Sequence, residues 1–292
     1  MGEFLQFSVT GLTIGSIYAI VALGFVTIYS VTKVINLAQG EFVMLGGMIM
    51  FTFLNIGINY WISFLLTLIL VMIIGWLVEW TIIRRAKGAD PISLIILTIG
   101  IAIFIRGVAS VVWGKGQVRI PAFSSNQSIN IGPASITPQS MWVVFIMLLV
   151  VIFLYILIDK TIVGKAFQAC SANPPAARLM GISPARMSSF SFTLSAGLGA
   201  LAGLAVAPIL FPAYDMGVML GIKGFSAAIL GGLGSAPGAV AGGLIIGFLE
   251  SYGAGYISSG LKDAIAFTAI LLILLIRPSG ILGEKNVGKG GL

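Results

Sequence analysis

The chain has 292 residues, of which 58% are hydrophobic and only 9% charged, and its mean hydropathy is +1.10. A soluble domain carries about 25% charged residues, so a water-facing fold is excluded and lipid must be the solvent for most of the surface. The net charge of +7 does not signal nucleic acid, because the basic residues lie in loops between apolar runs; without histidine and with one cysteine, Cys170, the chain also lacks an internal disulfide and the donors for zinc or haem.

A membrane-crossing helix needs about 20 mostly apolar residues. Residues 4–30 meet that length, and without a basic leader or a small-residue cleavage site they read as a retained first span. Residues 37–56 are apolar but interrupted by glycines and Glu41, a pattern that leaves a re-entrant segment open. Further spans are predicted at 61–83, 91–113, 141–158, 188–210 and 264–276. Residues 216–252 are too long for one span. There Gly231-Gly232-Leu233-Gly234-Ser235-Ala236-Pro237-Gly238 predicts two shorter helices with a turn at or within the membrane. The expectation is an all-α polytopic bundle of eight or nine segments, some broken or re-entrant, forming one transmembrane domain over 1–292.

Four helix starts carry a cap residue followed by proline: Asp90-Pro91, Thr137-Pro138, Asn173-Pro174 and Ser183-Pro184. The cap oxygen accepts an orphan N–H, and proline has none to leave unpaired. Three basic clusters are expected on the cytoplasmic side: Arg84, Arg85 and Lys87; Lys160, Lys165, Arg178 and Arg186; and Arg277, Lys285 and Lys289. The polar stretch 114–139, with only Lys115 and Arg119, is expected outside. Three crossings before Arg84 then put the N-terminus outside.

Three constellations are candidates for function. The first is Asn36-Leu37-Ala38-Gln39-Gly40-Glu41-Phe42. An acidic residue at a helix centre costs about 2.5–3.5 kcal/mol on insertion scales. Glu41 therefore either pairs locally, with Asn36 and Gln39 joining helix to helix, or lines a translocation path. The second is the glycine turn, where Gly231, Gly232 and Gly234 either face a substrate with open backbone or serve tight packing. Lys223 and Asp215 lie near it in the chain, and spacing alone does not pair them. The third is the loop 159–187. Asn173 caps a helix of two turns that Gly181 ends in a left-handed conformation. At roughly 10 Å it cannot span, and it is expected to lie on the cytoplasmic face as a docking element. No Gly-x-x-x-x-Gly-Lys-Ser/Thr loop or Gly-x-Ser-x-Gly elbow occurs. Either a gradient drives this chain or another polypeptide supplies the energy.

Taken together, these motifs resemble the permease subunits of branched-chain amino acid ABC importers, of the shorter-chain type. Residues Val34-Ile35-Asn36-Leu37-Ala38-Gln39-Gly40-Glu41-Phe42 are similar to the N-terminal signature of that family. A second signature follows in Lys223-Gly224-Phe225-Ser226-Ala227-Ala228-Ile229-Leu230-Gly231-Gly232-Leu233-Gly234-Ser235, continuing to Pro237-Gly238, Gly242-Gly243 and Glu250. The closure Arg277-Pro278-Ser279-Gly280-Ile281-Leu282-Gly283 resembles the family's ending. The resemblance implies a transport subunit, not an enzyme, with no cofactor of its own. ATP and Mg would sit on two ABC ATPase partners, beside a second permease in a heterodimer and a soluble substrate-binding protein, in a prokaryotic inner membrane. It further implies that Asn173, Ala176, Ala177, Arg178 and Gly181 belong to the helix that couples to the ATPase. It makes Asn36, Gln39, Gly40, Glu41, Gly231, Gly232 and Gly234 candidates for the substrate path. The family's frequent histidine is Gln39 here, which removes a group that could titrate near neutral pH. Relatives that import urea or short amides, a gradient-driven transporter, and a structural scaffold are the competing readings.

Overall fold

The computed structural model describes residues 2–86, 88–124, 127–131 and 134–283. Lys87, Lys285 and Lys289 of the basic clusters lie outside the described residues. Eleven α-helices make up the described chain: α1 (Gly2–Thr32), α2 (Gln39–Asn55), α3 (Tyr60–Val78), α4 (Pro91–Val112), α5 (Pro138–Tyr155), α6 (Ile162–Ala172), α7 (Pro174–Leu179), α8 (Pro184–Leu210), α9 (Met216–Gly231), α10 (Ala236–Tyr256) and α11 (Lys262–Ile276). One wider π-turn extends α3 to Ile83 and another extends α5 to Lys160. Six helices are long and apolar enough to cross a bilayer, and α2, α9 and α10 run among them. All six predicted spans are found. The stretch 216–252 is broken at the predicted turn into α9 and α10.

The helices fall into a centre and a rim. In its most apolar stretch α1 is 89% buried, against 28% for each of α3, α4 and α5. Small residues, among them Gly11, Gly15, Ala19, Ala22 and Gly24, let neighbours approach α1 closely, and it is enclosed by α8, α9, α10 and α5. Its tightest neighbour is α10. A Cβ on Gly243 would stand 2.4 Å from Ala19 N, so only glycine lets these two backbones approach. The rim helices turn Ile, Leu and Phe outward, where lipid is their solvent.

Hydrogen bonds mark which segments share an end of the bundle. At one end Gln6 of α1 accepts from Ser135 N (2.9 Å), and Val118 N donates to Pro212 O (2.8 Å). That end carries a short hairpin, β1 (Ile129–Ile131) against β2 (Ala134–Ile136), the one departure from the all-α expectation. At the opposite end Arg84 reaches Ser189 of α8 (2.6 Å), and α6 and α7 pack under the end of α1 through Val31, Phe167, Cys170 and Ala177. Arg84, Arg178 and Arg186 thus gather at one end, and α1 begins at the other. Aromatic residues girdle both: Tyr60, Trp61, Phe123 and Trp142 at the hairpin end, Trp76 stacked on Trp80 at the basic end.

Three of the four expected caps form. Asp90 accepts from Ser93 N, Asn173 from Ala176 N and Ser183 from Arg186 N. Thr137 does not cap; its hydroxyl bonds that of Ser140 instead (2.8 Å). Three further caps form outside the four expected: Asn59 opens α3, Thr161 opens α6, which occupies much of the loop 159–187, and Ser235 opens α10.

Candidate functional site

The N-terminal signature is folded into the protein, not onto its surface. After α1 the chain leaves helical geometry at Lys33 (φ 57°) and turns inward, burying Val34, Asn36 and Ala38. Buried irregular backbone must find partners. Here Asn36 O accepts from Gln39 N (3.1 Å), and Thr98 of α4 accepts from Leu37 N (3.2 Å). Helix α2 therefore starts inside the bundle. Gln39 donates to Ser195 O (3.0 Å) and accepts from the Ser195 hydroxyl (2.6 Å), which locks α2 to α8 beside Gly24 of α1. Gly40 lies against α9, where an added Cβ would be 2.1 Å from Gly217 O. Glu41, 2% exposed, faces Arg106 of α4 at 3.4 Å.

The glycine turn is placed elsewhere, at the basic end. Gly231 packs on Gly238, and Gly232 (φ 105°) lies against Gly283 of the C-terminal segment. That segment satisfies the last carbonyls of α9: Ile281 N donates to Leu230 O (2.8 Å) and Leu282 N to Gly231 O (2.9 Å). The second signature and the closure motif are thus one structural unit. Gly234 alone of the three turns outward and borders a cavity of about 840 Å³, together with Tyr29, Lys33 and Gln168.

A third polar centre joins residues that spacing could not pair. Lys223 of α9 contacts Glu250 of α10 and Asp263 of α11, each at 2.7 Å, and Lys262 lies 3.6 Å from Glu250. Tyr18 of α1 donates to Glu250 (2.7 Å), and its ring lies under the Lys223 ammonium. Two cations and two carboxylates leave the group neutral, which limits the cost of burying it. It forms the floor of a cavity of about 520 Å³ between α1, α8, α9 and α10, reaching Gln6 and Ser135 at the hairpin end. Of these residues the sequence marks Lys223, beside the glycine turn and in the second signature, and Glu250, in that signature alone. Tyr18 and Asp263 carry no local signal.

At the basic end α7 ends as expected. Gly181 has φ 82°, its N–H donates to Arg178 O (3.0 Å), and Ile182 N donates to Ala177 O (3.0 Å), the paired bonds of a Schellman end. Ala177 faces inward onto α6, while Ala176 and Arg178 face out. Leu179 and Met180, not singled out in the sequence, are 90% and 81% exposed. Behind α7, Arg84 contacts Glu79 (3.4 Å), whose carboxylate also takes the Ser189 hydroxyl, so the ends of α3 and α8 are held together.

The "Branched-chain amino acid transport system / permease component" family matches residues 7–276. The chain belongs to this permease family. It is 33% identical to the high-affinity branched-chain amino acid transport system permease protein LivH of Salmonella typhimurium, over 98% of this chain and 97% of that protein. To the corresponding protein BraD of Pseudomonas aeruginosa it is 31% identical, over 98% of each. The ribose import permease protein RbsC of Haemophilus influenzae is more distant, 28% identical over 70% of this chain. Among solved structures, PsaBC from Streptococcus pneumoniae in complex with Fab shares the fold, with a TM-score of 0.52 at 13% identity over 96% of this permease and 93% of that chain. The permease is a multi-pass membrane transport subunit and not an enzyme.

Proposed function

We propose that this permease is one membrane half of an ATP-driven importer for branched-chain or similar small amino acids. It would work with a second permease subunit in a heterodimer, two ABC ATPase subunits holding ATP and Mg, and a soluble protein that delivers the substrate. The named relatives support the substrate class, since two of them match at nearly full length. The excess of Arg and Lys at one end supports placing that end in the cytoplasm of a prokaryotic cell. The hairpin end and the start of α1 then face outward.

The observation that carries the coupling role is α7. A six-residue helix, capped at both ends, presents Leu179 and Met180 to water at the basic end. Exposed large apolar side chains beside an arginine suit a groove on a partner protein. Closure of the ATPases would push on α7, and the ends of α3 and α8, hydrogen-bonded through Ser189, would carry that displacement into the bundle. The test is reconstitution in proteoliposomes with and without the ATPase subunits. Leucine uptake should require the ATPases, ATP and the loaded binding protein. Uptake by the permease alone, driven by an ion gradient, would refute the reading.

A further inference from the structure

We propose that Glu41 and Arg106 form an opening ion pair that receives the ammonium and carboxylate of an α-amino acid in transit. The proposal rests on the import reading above and locates recognition within it.

Three glutamates are buried among the described residues, and two of them are tied by hydrogen bonds: Glu79, beside Arg84, takes the Ser189 hydroxyl. In the Lys223 centre, Glu250 has both oxygens engaged: Oε1 by Lys223 and Oε2 by Tyr18, each at 2.7 Å. The Glu41–Arg106 pair is loose. Its closest approach is 3.4 Å, between Oε1 and Nε, and that Nε donates no hydrogen bond among the described residues. Glu41 Oε2 is buried and likewise accepts none. A carboxylate oxygen left unbonded at this depth keeps the full penalty of its lost hydration. Such a group suits a ligand better than it suits a structural tie.

The position of Arg106 says where that ligand travels. Arg106 lies sixteen residues into a 22-residue span, and its side chain is still 31% exposed on the outside of this subunit. Lipid is a poor solvent for a guanidinium, and intramembrane arginines face water-filled cavities or other protein. Arg106 is thus the exception on a rim face that otherwise exposes Ile103, Phe104 and Val108, and we place it where the second permease subunit and the substrate path, not lipid, meet α4. An α-amino acid passing along that path presents a carboxylate, which the fork of Arg106 can take through two N–H groups. Its ammonium can bond Glu41 Oε2, with Asp215 at the start of α9 adding a second negative charge nearby. The unused amide nitrogen of Asn36, buried in the segment that leads into α2, supplies a further donor.

The test uses the complete transporter in proteoliposomes with radiolabelled leucine. E41Q and R106Q should each lower ATP-driven uptake about tenfold or more, the loss of one charge-assisted hydrogen bond. Stimulation of ATP hydrolysis by the loaded binding protein should persist. Because either change could disturb folding, R106C in a C170S background gives an independent measurement. A charged, membrane-impermeant thiol reagent should label it, and leucine turnover should slow the labelling. A wild-type complex that imports no amino acid refutes the import reading itself. A working wild-type importer that is indifferent to both charge changes, or an R106C chain that stays unlabelled, overturns the site and leaves that reading intact.

Discussion

Replacing Glu250 by alanine tests whether the Lys223 centre holds the bundle together. Glu250 accepts from Tyr18 and Lys223, at 2.7 Å each, and its side chain is 4% exposed. Removing one partner of a buried pair costs about 3–5 kcal/mol, because the other charge stays buried. Lys223 keeps Asp263, which is 37% exposed, so the lower end applies, about 3 kcal/mol. At roughly 2–4 °C per kcal/mol for a chain approaching this size, E250A should melt about 6–12 °C below the wild type. The sole cysteine, Cys170, is fully buried, so a thiol-reactive dye during a thermal ramp in detergent reports unfolding. The double variant K223M/E250L should recover most of the loss, since apolar residues can replace a buried pair at little cost. An E250A chain that melts with the wild type, or a double variant whose loss is the sum of the singles, would refute the reasoning.

Other outcomes follow from the same geometry. G181V places a branched side chain at φ 82°, a cost of about 1–2 kcal/mol that opens the end of α7; ATP hydrolysis should continue while uptake in proteoliposomes falls. N173A removes the bond to Ala176 N and should weaken coupling less, at about 1 kcal/mol, when the same two rates are compared. G243V would drive its Cβ into the backbone at Ala19 and force α1 from α10; size-exclusion chromatography should show loss of the monodisperse species. Burial pushes the Cys170 thiol up, so native protein should resist maleimide even near pH 8.5, the ordinary thiol value, and label after denaturation.

Much of the architecture was readable because lipid imposes a length and a composition on each span. Residues 61–83 needed no tertiary information to be recognised. The break at Gly231–Gly238 was equally plain, since four glycines and a proline within eight residues, in a stretch too long for one span, favour a turn. What the sequence hid were contacts between distant segments. Glu250 and Tyr18 are 232 positions apart, and neither stretch signals the other. The role of Gln39 was hidden for a related reason: its partner Ser195 is an ordinary helix residue until α2 is set against α8. Thr137 failed as a cap because the hydroxyl of Ser140 competes for it, a choice between near-equal local bonds that residue type does not decide. The hairpin at 129–136 lay unread in a polar stretch of only six paired positions.

The enclosure of α1 sets a problem of order in time. This helix leaves the ribosome long before its principal partner, α10, which begins more than two hundred residues after α1 ends. At about 5–20 residues per second, roughly ten to forty seconds separate the two. Through that interval lipid tails must occupy the glycine-lined face of α1 that α10 will later cover. Lipid can solvate that face because it is apolar, but the hydroxyl of Tyr18 lies on it and must wait for Glu250. The last third of the chain therefore completes a structure begun by the first thirty residues, and assembly of the subunit is a race between synthesis and surveillance of an unfinished membrane helix.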